Sequence, residues 1–177
     1  VGELIARAKE LRYPALAITD HDNLCGAMEF ARLARSVDIQ PIIGVEITLE
    51  NDHHLTLLAE THHGYNNLCE LVSFAHVNSK HNQPKLNPDI ISRHTNGLIA
   101  LSGCTNGQIA KLISEGDHKE ATELAIQYAN WFGTNNFFIE LQQNLVYGDT
   151  NRIKGLTKLA KKSMIPLVAT NNVHYHV

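Results

Sequence analysis

Long apolar runs are missing from this 177-residue chain. Nothing approaches the roughly 18 consecutive apolar residues that carry a helix across a bilayer, and no stretch resembles a signal peptide. An excess of one charge is missing too. Lys and Arg number 15 against 18 Asp and Glu, for a formal net charge of -3. That balance excludes a basic nucleic-acid-coating domain, although a local patch fits within a neutral total. Cysteine is sparse: Cys25, Cys69 and Cys104 are far apart and form no CxxC pair. An odd, scattered set is poor disulfide material and suits a reducing compartment, so a cytoplasmic location is expected. There is no tandem repeat, low-complexity tract or interdomain linker, and the composition excludes collagen-like, coiled-coil and disordered classes.

What is present is a core and an unusual amount of imidazole. Hydrophobic residues make up 44% of the chain, and its length fits one domain with a sizeable interior, assigned here to residues 1–177. Histidine occurs 11 times, as often as glycine, against 5 phenylalanines. It is the commonest metal ligand and the usual proton carrier near neutral pH. The chain begins at Val1 inside a helical pattern and is read as a piece of something longer.

Apolar periodicity sets the order of elements. Leu4, Ile5, Ala8 and Leu11 recur at helical spacing up to Pro14, and Ala15 to Ile18 reads as a buried strand ending in Thr19-Asp20-His21-Asp22. A helix over 24–36 and a strand over 41–49 follow, and the turn chemistry of Asn51 to His54 makes 42–59 a β-hairpin. Helices are expected over 64–76, 107–115, 119–132 and 151–163, with strands over 97–102, 136–142 and 165–170. The polar stretch 78–96 is expected to be a mobile loop near a site. Strand–helix alternation of this kind predicts an α/β fold with a mainly parallel sheet, open or closed into a barrel.

In such folds functional side chains collect at the carboxyl ends of strands. His21, Glu46, Cys104, Glu140 and the Asn171-Asn172-Val173-His174 run all fall at predicted strand ends, and His76 closes a helix. Imidazole, carboxylate and thiolate together form the ligand set of Zn²⁺ and similar ions, whose chemistry includes phosphoester hydrolysis. His53, His54, His62, His63, His81, His94 and His118 are read as surface residues, and Cys25 and Cys69 as core.

The segments ALAITDHDNLCGAMEF, PIIGVEITL, LTLLAETHHGYNNLCELVSFAH, GLIALSGC, FFIELQ and PLVATNNVHYH, in that order, resemble the polymerase-and-histidinol-phosphatase (PHP) domain. More narrowly, they resemble its version at the amino end of bacterial DNA polymerase III alpha subunits, including the error-prone type. The resemblance implies a distorted seven-stranded (β/α) TIM-like barrel, here lacking its first strand, with a metal cluster at the carboxyl rim. It places His21, Glu46, His76, Cys104 and His174 on ligand positions, with Glu46 as the bridging carboxylate and Asp20 orienting His21. Asn172 stands where the family has an aspartate, and the HxH motif of the first strand is absent. The implied ions are Zn or Mn, fewer than in a complete site and centred on Glu46, His76 and Cys104.

Three functions compete on this reading. One is a metal-dependent phosphoesterase, a 3′–5′ exonuclease or pyrophosphatase, within a DNA-directed polymerase that serves replication or error-prone repair synthesis. The second is a decayed structural module supporting the polymerase core. The third is a free-standing phosphatase of the histidinol-phosphatase type. Expected partners are the remainder of a polymerase chain, DNA through that polymerase and other replication or repair subunits, with no membrane.

Overall fold

The structure, a computed structural model, describes residues 1–78 and 83–173. His81 and His174 therefore lie outside the described residues.

Thirteen elements run α1 (Gly2–Glu10), β1 (Ala15–His21), α2 (Ala27–Arg35), β2 (Gln40–Thr48), β3 (His54–Ala59), α3 (His62–Val77), α4 (Pro88–Ile91), β4 (Leu98–Leu101), α5 (Gln108–Glu115), α6 (His118–Phe132), β5 (Phe137–Gln142), α7 (Asp149–Ser163) and β6 (Leu167–Thr170). Local chemistry sets several of these boundaries. The helix α1 stops ahead of Pro14, with the Tyr13 N–H donating back to the Ala8 carbonyl at 3.0 Å. Thr61 caps α3 by accepting from the Gly64 N–H at 3.1 Å. Gly116, at φ 93°, ends α5 in the left-handed conformation that glycine adopts without a Cβ penalty.

The six strands form one curled half-barrel sheet in chain order, β1 to β6. β1 pairs parallel with β2, as do β4 with β5 and β5 with β6. Both ladders of β3 are antiparallel, because a tight turn after β2 sends the chain straight back. The sheet is thus mixed, with a single reversed strand in the expected hairpin. Among the described residues, β1 and β6 are its edges.

Strand alternation separates two faces. Val45 and Ile47 of β2, Leu55 and Leu57 of β3, Leu98 and Ala100 of β4, and Phe137 and Ile139 of β5 join one buried cluster with Leu68 and Leu71 of α3, Ile109 of α5, Tyr128 of α6 and Leu156 of α7. A second cluster seats α1 and α2 through Ile5, Ala8, Phe30 and Ala34. The intervening strand residues form the other face, and these include His21, Glu46, Thr56, Glu140 and Gln142. Those polar residues are the ones the core pattern leaves over.

The polar segment after α3 is tied down where it is described, contrary to the expected mobile loop. The Leu86 N–H donates to the Thr48 carbonyl at 2.9 Å, and Leu86 and Ile91 are fully buried. Its two apolar anchors are too widely spaced to register as a periodicity. Among the described residues, no helix is long and apolar enough to cross a membrane.

One close approach joins α3 to the turn before β4. A Cβ on Gly64 would stand 1.8 Å from the Gly97 carbonyl oxygen, whereas one on Gly2 would meet nothing within 4 Å. Gly64→Ala is therefore expected to cost about 1–3 kcal/mol through forced backbone displacement. Gly2→Ala should change stability by less than about 0.5 kcal/mol. Urea unfolding of the two variants checks the difference; equal midpoints would contradict this packing.

Candidate metal centre

Strand register creates the site. His21 is the direct partner of Glu46 in the β1–β2 ladder, and Thr48 is the direct partner of His54 in the β2–β3 ladder. With a side-chain period of two, Glu46 and Thr48 share a face, and so do His54 and Thr56. His21, Glu46 and His54 consequently converge. Their ligand-type atoms all lie within 4.8 Å of one another. Glu46 Oε1 is 2.7 Å from His54 Nδ1 and 3.2 Å from His21 Nδ1. The two rings meet edge-on with centroids 5.3 Å apart. Glu46 and His54 are largely enclosed, whereas the His21 side chain is 53% exposed and faces solvent.

Cys104 arrives from the loop after β4. Its Sγ lies 3.5 Å from His54 Nδ1 and accepts from the Asn106 N–H at 3.4 Å. Gly103 makes this possible: at φ 90°, a Cβ there would sit 2.4 Å from the His54 carbonyl oxygen. Asn106 closes the junction, its carbonyl accepting from the His54 N–H at 3.2 Å. Burial pushes the Cys104 thiol up to about 11, the negative fields of Glu46 and Glu140 add to it, and the Asn106 N–H works against it.

Glu140 completes the buried polar floor. Its carboxylate accepts from Gln142 Nε2 at 3.0 Å and, through the same Oε1, from the Thr170 hydroxyl. Its backbone N–H donates to Ser102 Oγ at 2.9 Å, which ties β5 to the Ser102-Gly103-Cys104 loop. Burial raises its pKa and Glu46 contributes further, against the opposing hydrogen bonds from Thr170, Gln142 and Gly103.

The remaining expected residues sit differently. His76 is not part of the close group; its Nε2 lies 2.7 Å from the Asp22 carbonyl oxygen. Asp22 stands at φ 52°. Its carboxylate accepts from both the Thr48 N–H and the Thr48 hydroxyl at 2.7 Å. His76 thus adjoins the rim through the peptide that follows His21. The Asp20 carboxylate accepts from the Gly26 N–H at 3.3 Å, a contact to the entry of α2 rather than to His21. Asn172 is exposed beyond β6 and outside the close group, and His174 falls outside the described residues.

Two residues escaped the sequence reading. His54 was grouped with surface histidines because it ends a turn tetrad, yet it is the first residue of β3 and half-buried. The signal was the alternation His54, Thr56, Leu58 opposite Gly44, Glu46, Thr48 in the hairpin. Glu140 was noted on its strand but left out of the site. Cys25, expected in the core, is exposed, because it lies in the turn ahead of α2 rather than on it; Cys69 is half-buried.

Two imidazoles, a carboxylate and a thiol suit a borderline-soft divalent cation. Glu140 Oε2, buried and unpartnered, supports that fit from the protein side.

Comparison with known proteins agrees with this chemistry. The family profile described as "PHP domain" matches residues 1–144. An error-prone DNA polymerase of Symbiobacterium thermophilum is 41% identical over 99% of this chain and 18% of its own length. The DNA polymerase III subunit alpha of Treponema pallidum is 36% identical over 97% of this chain and 16% of its own length. The chain thus spans less than a fifth of these relatives. Among solved structures, a proposed metal-dependent phosphoesterase from Bifidobacterium adolescentis superposes with a TM-score of 0.54 at 12% identity, covering 99% of this chain and 82% of that one. This last likeness concerns the fold alone.

The raised Cys104 pKa has a measurable sign. The unfolded thiol ionises near 9.0 and the folded one near 11, so between those values the folded chain holds the extra proton. Stability should fall as pH rises through that window. The loss should be absent from Cys104→Ser, as read by urea unfolding at a series of pH values. Equal pH slopes in the two proteins would contradict the assignment.

Proposed function

The chain belongs to the PHP domain family, and from that premise we propose that its rim is a divalent-cation centre for phosphoester hydrolysis. The setting we infer is a bacterial DNA polymerase III alpha-type or error-prone polymerase, whose remaining chain and DNA would be the partners. The observation that carries the reading is the shared Glu46 oxygen, 2.7 Å from His54 Nδ1 and 3.2 Å from His21 Nδ1.

A bound Zn²⁺ or Mn²⁺ would supply positive charge to a phosphate oxygen and acidify a water. His21 and His54 would hold it through ring nitrogens, and Glu46 would lend the negative charge that keeps it there. Cys104 extends the donor set on the enclosed side. The exposed His21 marks the side open to substrate. His76 and Asp22 would act as positioning residues, fixing the backbone between His21 and α2. Asn172 and His174 would extend the centre as the family resemblance implies, and one strand between the β1 and β6 edges would complete the seven-stranded barrel. The substrates we favour are a 3′ DNA end or pyrophosphate.

A second reading rests on Asn172, which brings no charge where the resemblance expects an aspartate. On it, the cation serves as an internal staple, stabilising the fold by binding only the folded state.

Incubating the chain with Mn²⁺ and a 3′-labelled single-stranded oligonucleotide, or with pyrophosphate, should give hydrolysis that Glu46→Gln reduces about 100-fold. Equal rates in the two proteins would overturn the catalytic reading. Chelation that lowers the melting temperature of a chain without hydrolytic activity would favour the staple instead.

A further inference from the structure

Phosphoester hydrolysis at His21, Glu46 and His54 leaves Glu140 without a role. Glu140 is 5% exposed, and Gln142, two residues along the same face of β5, is 8% exposed. The two hydrogen bonds that reach the Glu140 carboxylate both end on Oε1. Oε2 is buried with no partner, and so is the side-chain oxygen of Gln142. Two acceptors in one buried place therefore lack a donor. Leaving such groups unsatisfied costs on the order of 1–3 kcal/mol each, so native proteins rarely tolerate them.

The surroundings are acidic rather than donating. Glu46 and Glu140 act on each other electrostatically, and both act on the Cys104 thiol. The loop that carries Cys104 is fastened to Glu140 itself, by the Ser102 hydroxyl on its backbone N–H. Glu46 spends Oε1 on the two imidazoles. A second carboxylate, a thiol and an amide oxygen adjoin it on the enclosed side.

We propose that Glu140 is a cation ligand in its own right. With Glu46 and Cys104 it forms a second divalent-cation position, beside the His21–Glu46–His54 group and with the Gln142 oxygen as a further neutral donor. One positive ion there satisfies both orphaned oxygens and removes the repulsion among three acidic groups. It also reverses the state of Cys104, since a coordinated thiol gives up its proton. The sulfur ligand selects a zinc-like ion over magnesium or calcium. The inference rests on reading the rim as a cation centre and adds to it a buried position.

Cobalt(II) titration of the metal-free chain tests it, in a Cys25→Ser, Cys69→Ser background so that any thiolate-to-cobalt charge-transfer band reports Cys104. The parent of that background should bind two cobalt ions per chain with the band present. Glu140→Gln should bind one ion and lose the band, while His54→Ala should keep the band. Glu140→Gln bears a neutral isostere in a buried acidic place, so without metal it should be no less stable than its parent. Should it fail to fold by circular dichroism, Glu140→Asp keeps the charge but shortens the reach. That variant should weaken the band-forming ion about tenfold or more and leave the other unchanged. Unchanged ion count, affinity and band in the Glu140 variants would overturn this proposal and leave the cation-centre reading standing. A parent that binds no cobalt would overturn both.

Discussion

A single carboxylate oxygen organises the rim. Glu46 Oε1 faces an imidazole from the strand on each side of its own, 3.2 Å away on β1 and 2.7 Å away on β3. That contact exists only because β1 runs parallel to β2 while β3 runs back against it, in a register that sets His21 against Glu46 and His54 against Thr48. A one-residue slip in either ladder would turn one imidazole into the helix-packed core. The core face resists such a slip: Val45, Ile47, Leu55 and Leu57 are all essentially inaccessible to solvent, and a slip would bring them to the polar face. Hydrophobic burial thus fixes the register, and the register fixes the donor group.

Much of this was legible in the chain. The order of strands and helices followed from apolar periodicity, and the hairpin from Asn51 to His54 followed from turn chemistry. His21, Glu46 and Cys104 stood out because each ends or follows a short apolar run. What the sequence concealed was of two kinds. His54 looks like part of a polar turn, and only the pairing of β2 with β3 shows that its ring returns toward Glu46. His76 sits in a conspicuous place at the end of a helix, yet its nitrogen meets the Asp22 carbonyl. A helix-end histidine and a strand-start histidine are equally visible as letters. Only the tertiary register tells a ligand position from a backbone tether. The half-barrel shape likewise depends on how the strands associate, which periodicity does not encode.

The polar face also explains why so ordinary a composition holds so acidic an interior. Glu46, Glu140 and Cys104 are all less than a tenth exposed, although the whole chain carries only a small negative charge. Burial and mutual repulsion raise the Glu140 and Cys104 values together. Neutral hydrogen bonds from Thr170, Gln142 and the backbone offset part of this cost. The part they leave is the free energy that a cation can recover, so a place unfavourable to its own side chains is favourable to a divalent ion.

The junction between His54 and Asn106 has a kinetic meaning. The donor groups come from segments separated by more than fifty positions in the chain, and the Asn106 carbonyl that accepts from the His54 N–H closes the last gap between them. Pairing of this range forms slowly, since a long loop must close before any contact rewards it. Ion capture by this protein should therefore be a late event in its maturation, a signal that the hairpin and the fourth strand have found each other.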